Sequence, residues 1–441
     1  MKYPLNYQTV DALYDEKGSG NPLIDALPDC LDQKGFFARI ESSPPQPEEI
    51  WSSIERKNAL AHFPGLFVPL DYMYIVYDTL YRMLYSSYLT LTSKESVKRV
   101  NALFAGQFEN YGSQAQSGSL LGTPGLGKTT TIKRCLHMLP QVIAHRQYRG
   151  EPFFTKQVLW LFVDCPSDSS PKTMAYNVVH ALDRAVGGSH LDYLMRSSST
   201  ATSAAVTFIK ILFMTYHVGL LVIDEVQNVV ASAQKMNRIR PLIRFLSELT
   251  NDTATSVYFV GTTQAETVFL SEEYLRRRTR GPRLLPFKSD LAYRKFLEHI
   301  WPFQYTWQKS ELTDALANVI FDYSGGIPAY ITQLFQEAQA QALHLSEKKI
   351  NPKLVRQAAD YLSIKPPQAL GSGTFISDIT VCEGIPEITD EGNETARRQF
   401  AVKRGRKNTV RDPEDLILAY LREDLKETLL QFRLCQEVKI C

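Results

Sequence analysis

Between residues 118 and 288 the chain alternates short apolar runs with stretches of helix length. The runs are GSLLG (118–122), QVLWLFVDC (157–165), GLLVIDE (219–225), SVYFVG (256–261) and RLLPF (283–287). Strands that are apolar at successive positions are buried on both faces, and strands alternating with helices build a parallel sheet covered on both sides. An α/β core with a five-stranded parallel sheet is therefore expected over residues 118–289. From 290 to 364 the runs stop. Apolar residues then recur three and four apart, at Leu312, Leu316, Val319 and Ile320 and again at Ile331, Leu334 and Phe335, which predicts a small all-helical domain.

The flanks differ. Residues 1–50 are rich in Pro, Gly, Asp and Ser, and SSPPQPEE (42–49) can continue neither a helix nor a central strand, so an irregular arm is expected. A helical region follows over 51–117. Within it Tyr74, Tyr77, Tyr81, Tyr85 and Tyr88 share one helical face. Such a stripe could stack bases, but Arg82 is almost the only basic residue among them, so a packing face is the favoured reading. Beyond PPQALGSGT (366–374), residues 365–441 read as a linker, a basic segment and a C-terminal helix over 412–434, with Asp412 as cap and Pro413 at its first position. No internal repeat is evident.

Composition narrows the class. A chain of 441 residues, 44% hydrophobic and 22% charged, suits two or three globular domains. With a net charge of only +2, affinity for nucleic acid would have to come from local patches. The six cysteines form no CxxC pair, which argues against a zinc site or a disulfide framework. No apolar run approaches the roughly 20 residues of a membrane helix, and MKYPLNYQTV lacks the apolar stretch of a signal peptide, so no membrane association and a cytoplasmic location are expected.

The chemistry is concentrated in LLGTPGLGKTTTIKRCL (120–136). Gly122, Thr123, Pro124, Gly125, Leu126, Gly127, Lys128 and Thr129, followed by Thr130, fit the pattern GxxxxGK[ST] between an apolar strand and a helix. Glycine lets backbone N–H groups approach phosphates, and the helix N-terminus adds partial positive charge. Lys128 would reach the β- and γ-phosphates of ATP, and Thr129 would bind Mg²⁺. A chance match in an ordinary strand–turn–helix is the competing reading. Against it stands GLLVIDE, a buried strand ending in two carboxylates: Asp224 suits the Mg²⁺ position and Glu225 the general base that activates water. At the end of SVYFVG, Thr262 or Thr263 would orient that water; helix capping by either is the plain alternative.

Basic residues suggest partners. Arg276, Arg277 and Arg278, with Arg280 and Arg283, precede the final strand, where an arginine can complete a neighbouring subunit's nucleotide site and point to a homo-oligomer; a solvated basic face is the alternative. QKMNRIRPLIR (234–244) carries Lys235, Arg238, Arg240 and Arg244 without an acid, and RRQFAVKRGRKNTVR (397–411) carries seven basic residues and no acid. Dense positive charge binds duplex phosphates without reading sequence. The first stretch is the DNA-binding candidate and the second reads as a flexible docking tail; a solvated basic surface is the alternative for either.

The order of these elements resembles an AAA+ ATPase with a helical lid. More narrowly, NPLIDALP (21–28), LPQVIAHR (139–146), ALDRAVG (181–187) and GLLVIDEVQN (219–228) resemble the TnsC regulators of heteromeric transposons, over residues 20–365. That resemblance implies an ATP- and Mg²⁺-dependent protein that assembles as a ring or helical filament on duplex DNA. It would join a target selector of the TniQ or TnsD type, in CRISPR-associated systems an RNA-guided one, to the TnsA and TnsB transposase. One departure is Ala329 in SGGIPAYI, where many AAA+ relatives carry a sensor arginine, which predicts slow, regulatory turnover. Two other classes stay open: a helicase loader or signalling ATPase acting mainly on proteins, and a small-molecule kinase.

Overall fold

The computed structural model describes residues 8–14, 18–104, 114–196, 202–228, 239–266, 281–345, 347–365 and 373–380. All lie in the first of two compact units, Met1–Val381; the second, Cys382–Cys441, which contains the basic segment 397–411 and the expected helix 412–434, lies outside the described residues.

In chain order the N-terminal part comprises β1 (Thr9–Asp11), α1 (Pro22–Asp25), α2 (Gln33–Ile40), α3 (Ser53–Ala61), α4 (Asp71–Thr90) and α5 (Ser93–Phe104). The core follows: β2 (Ser117–Gly122), α6 (Lys128–His137), β3 (Val142–Tyr148), β4 (Glu151–Val158), β5 (Trp160–Asp164), α7 (Pro171–Val186), α8 (His190–Arg196), α9 (Thr202–Thr215), β6 (Leu220–Asp224), α10 (Ile239–Thr253), β7 (Ser256–Gly261) and β8 (Arg283–Leu285). The helical region expected to be the lid comprises α11 (Leu291–Ile300), α12 (Asp314–Ser324), α13 (Pro328–His344) and α14 (Pro352–Leu362), after which comes β9 (Thr374–Phe375).

The principal sheet is parallel throughout, in the order β5-β6-β7-β2-β8-β9. The expected five strands are present, and β9, from the stretch expected to be a linker, adds a sixth at the β8 edge. Period-two alternation divides its side chains between two cores. Leu220, Val222, Tyr258 and Val260 face the core that also holds α4, α6 and the lid helices, whereas Leu221, Ile223, Val257 and Phe259 face α7, α9 and α10. Both faces are dry, which explains runs with no polar alternation.

Two expectations are corrected. The arm is not irregular throughout: Asn21 and Asp32 cap α1 and α2 by accepting from the N–H groups of Leu23 and Gly35, and β1 pairs with β3. The run 157–165 is not one strand. It divides at Leu159 between β4, which belongs to a second sheet of order β1-β3-β4, and β5 of the principal sheet.

The tyrosine stripe is a packing face. Tyr77 is buried, Tyr88 is buried with its hydroxyl donating to the His217 carbonyl at 2.9 Å, and Tyr81 donates to the Pro28 carbonyl at 2.8 Å. Tyr74 packs against the same core, while Tyr85 is exposed. Helix α4 also lies very close to the start of β6. A Cβ at Gly219 would fall 2.4 Å from Leu84 Cδ1 and 2.6 Å from the Tyr88 hydroxyl, so only glycine fits there.

Candidate phosphate-binding site

The site forms where three parallel strands, β2, β6 and β7, end side by side. In such sheets the carboxyl ends of the strands are where ligands bind. β2 runs into the loop 123–127 and then α6. Gly125 and Gly127 have φ of +83° and +81°, in the left-handed region that side chains disfavour, so the loop conformation depends on both. Gly127 is the N-cap of α6 and has no side chain to cap that helix, which leaves its N-terminus suited to an anion.

Lys128 is buried, and its ammonium donates to the carbonyls of Gly122 and Thr123, both at 2.9 Å. Burial lowers its pKa to about 8, against the opposing pull of the Asp224 and Glu225 carboxylates. A desolvated cation folded onto its own loop is well placed to exchange two neutral carbonyls for phosphate oxygens.

Thr129 lies one residue further on, and its hydroxyl donates to Asp224 Oδ2 at 2.7 Å. Asp224 is buried at the end of β6, and burial raises its pKa, offset by the Thr129 hydroxyl and the Glu225 N–H. A hydroxyl beside a carboxylate is a hard-oxygen pair of the kind Mg²⁺ accepts. With two protein oxygens, the pair would suit an ion that completes its shell with phosphate and water.

Glu225 is exposed and has φ of +55°, which turns the chain sharply out of β6. Its carboxylate accepts from the Gln227 side-chain amide, and Gln227 Oε1 accepts from the Thr262 N–H at 3.0 Å. Asn228 secures the same turn: its N–H donates to the Glu225 carbonyl at 2.9 Å and its amide to the Cys165 carbonyl at 3.0 Å. Thr262 Oγ1 is buried without a partner, and Thr262 makes no side-chain cap to the short 3-10 turn that begins at Thr263. The capping alternative is therefore not realised by Thr262.

Two elements brace the loop. The Tyr72 hydroxyl, fully buried on α4, donates to the Leu126 carbonyl at 3.0 Å and lies 3.2 Å from Thr131 Oγ1. From the lid, the Ala329 N–H donates to the Gly125 carbonyl at 3.1 Å. A Cβ at Gly125 would sit 2.8 Å from Ile327 Cγ2. Ala329 thus meets the loop with its backbone and brings no charge.

The structure brings together Gly122 to Thr130, Asp224, Glu225, Thr262 and Thr263. Arg276, Arg277, Arg278, Arg280, Lys235 and Arg238 lie outside the described residues, as does the side chain of Arg240, whose backbone falls in the first turn of α10. Arg283 pairs with Glu266 at 3.0 Å and Arg244 with Glu248 at 2.8 Å, so both are engaged within the chain. Tyr72 and Gln227 were not singled out from sequence. Gln227 had a local signal, two residues beyond a carboxylate pair, whereas Tyr72 had none, because its partner is 54 residues away.

Residues 110–269 match a family model described as an AAA domain, so this part of the chain carries the α/β fold of the AAA+ ATPases. No curated protein sequence matches the chain. Among solved structures it is similar to the ORC2 protein of Aeropyrum pernix in an ADP form, at 14% identity over 61% of this chain and 67% of that one, with a TM-score of 0.38. Drosophila ORC bound to DNA shares 15% identity over 78% of this chain and 72% of that one, with a TM-score of 0.43. The Thermotoga maritima RuvB branch-migration motor shares 15% over 61% and 69%, with a TM-score of 0.32.

Proposed function

We propose that this AAA-domain protein is an ATP-dependent regulator of DNA transposition that assembles on duplex DNA, joins a TniQ- or TnsD-type target selector to a TnsA and TnsB transposase, and disassembles on hydrolysis. The observation that carries the ATPase part is the convergence of the phosphate loop, the Thr129–Asp224 pair and Glu225 at the carboxyl ends of β2 and β6. The likeness of NPLIDALP, LPQVIAHR, ALDRAVG and GLLVIDEVQN to TnsC sequences supports the transposition part.

In this reading the loop and the α6 N-terminus bind the triphosphate, and Lys128 leaves the Gly122 and Thr123 carbonyls for the β- and γ-phosphates. Thr129 and Asp224 would hold Mg²⁺, which neutralises charge on the phosphate oxygens. Glu225 takes the proton of the attacking water as its oxygen bonds to the γ-phosphorus and the bond to ADP breaks. The buried, partnerless hydroxyl of Thr262 makes it the better choice over Thr263 for orienting that water. An arginine among Arg276, Arg277 and Arg278 completes the site of the next subunit, which ties ATP occupancy to a ring or filament. Lys235, Arg238 and Arg240 contact the DNA backbone, and residues 397–411 dock a protein partner.

The test is ATP hydrolysis with and without duplex DNA for the wild type and Glu225→Gln. Duplex should stimulate the wild type, and Glu225→Gln should bind ATP, hydrolyse it at least about 100-fold more slowly and stay longer on DNA. Normal hydrolysis by the variant refutes the base assignment. Hydrolysis indifferent to DNA but stimulated by a protein partner favours a loader or signalling ATPase.

A further inference from the structure

We infer that Gln227 is a positioning residue for hydrolysis: one side-chain amide ties the carboxylate of Glu225 to the end of β7 and fixes its direction toward the γ-phosphate. The inference rests on the reading of Glu225 as the base. It concerns a different residue with its own contacts.

Gln227 uses both ends of its amide. Nε2 donates to the Glu225 carboxylate, and Oε1 accepts the Thr262 N–H at 3.0 Å. That N–H belongs to the first residue past β7, where Thr262 Oγ1 is buried without a partner. The amide thus fastens together the two strand ends that would flank the attacking water.

The backbone is built around this bridge. A Cβ at Gly261 would lie 2.8 Å from Gln227 Oε1, so a side chain there would push the amide away. Glu225 itself is in the left-handed region, a strained conformation for a non-glycine residue that persists where its surroundings hold it. The hold comes from the Val226 N–H on the Val260 carbonyl at 3.1 Å and the Asn228 N–H on the Glu225 carbonyl at 2.9 Å. Those bonds fix the backbone of the turn. An exposed carboxylate still has free rotamers, and Gln227 removes that freedom. A base held in one geometry gains rate over one that samples several, because orientation is settled before the reaction.

The chemistry requires glutamine. Glutamate at 227 could not donate to Glu225 and would set two carboxylates together, and methionine keeps the length but neither bonding function. Gln227→Met should therefore lower kcat about 10- to 100-fold, with KM for ATP and binding of a slowly hydrolysed ATP analogue within about twofold of wild type. In the cycle with Glu225→Gln, the double variant should be no slower than Glu225→Gln alone, because positioning matters only while the base is present. Gly261→Ala should give the same kcat-only loss by displacing the amide, and it tests the idea if Gln227→Met fails to fold. A kcat within twofold of wild type, a kcat above wild type, or losses that multiply in the double variant would overturn the inference. If Glu225→Gln alone turns over normally, the fault lies with the base assignment and the inference falls with it; a normal Gln227→Met beside a dead Glu225→Gln rejects the inference alone.

Discussion

Acidification should destabilise the protein through His217, in the turn between α9 and β6. The imidazole is buried, its Nδ1 lies 3.1 Å from the Ser96 hydroxyl of α5, and its backbone carbonyl accepts from Tyr88 of α4. Burial, with a smaller contribution from His145, lowers its pKa from 6.5 to about 4. The folded chain therefore holds a neutral ring where the unfolded chain takes up a proton. Since the unfolded state binds more protons across this window, stability falls as pH drops from about 6.5 to about 4. The whole shift corresponds to about 3 kcal/mol, of which about 2 kcal/mol is lost by about pH 5. His217→Asn is the suitable variant, because φ there is +46° and asparagine tolerates the left-handed region. Urea denaturation of both proteins at about pH 8 and about pH 5 gives the difference. The variant should lose about 2 kcal/mol less than the wild type on acidification. Equal losses would show that the ring is accessible to protons in the folded state, and the reasoning would fail.

Three further outcomes are expected. Tyr72→Phe, which leaves the Leu126 carbonyl without its buried donor, should cost about 1–2 kcal/mol in urea denaturation and weaken ATP binding a few-fold; an unchanged midpoint would remove α4 as a brace of the loop. Gly125→Ala combines a φ of +83° with a Cβ placed 2.8 Å from Ile327, so calorimetric titration should show nucleotide affinity falling at least about tenfold while circular dichroism stays native. Neutralising Lys235, Arg238 and Arg240 together should weaken duplex binding and reduce its log–log salt slope by about one for each phosphate no longer neutralised; a slope equal to wild type moves the DNA-binding surface elsewhere.

Much of the core was legible because its physics is local. A strand buried on both faces is apolar at most successive positions, so β2, β6 and β7 stood out, and two carboxylates closing the β6 run had no packing explanation. The failures arose where distant contacts decide. Residues 158–163 are uniformly apolar because β4 and β5 are both buried at their junction, and nothing in those residues marks Leu159 as the point where the chain changes sheets. The helices of the arm are short, and their caps, Asn21 and Asp32, were hidden among Pro and Gly. Gln227 makes its second bond to a residue 35 positions away, a pairing that only the neighbouring ends of β6 and β7 create.

The most direct test is analytical ultracentrifugation of the full chain with short duplex DNA, comparing no nucleotide, ADP and a slowly hydrolysed ATP analogue. Coupling of an interfacial nucleotide to assembly predicts a multi-subunit complex on the duplex with the analogue alone. A protein that sediments as one subunit in all three conditions would contradict it.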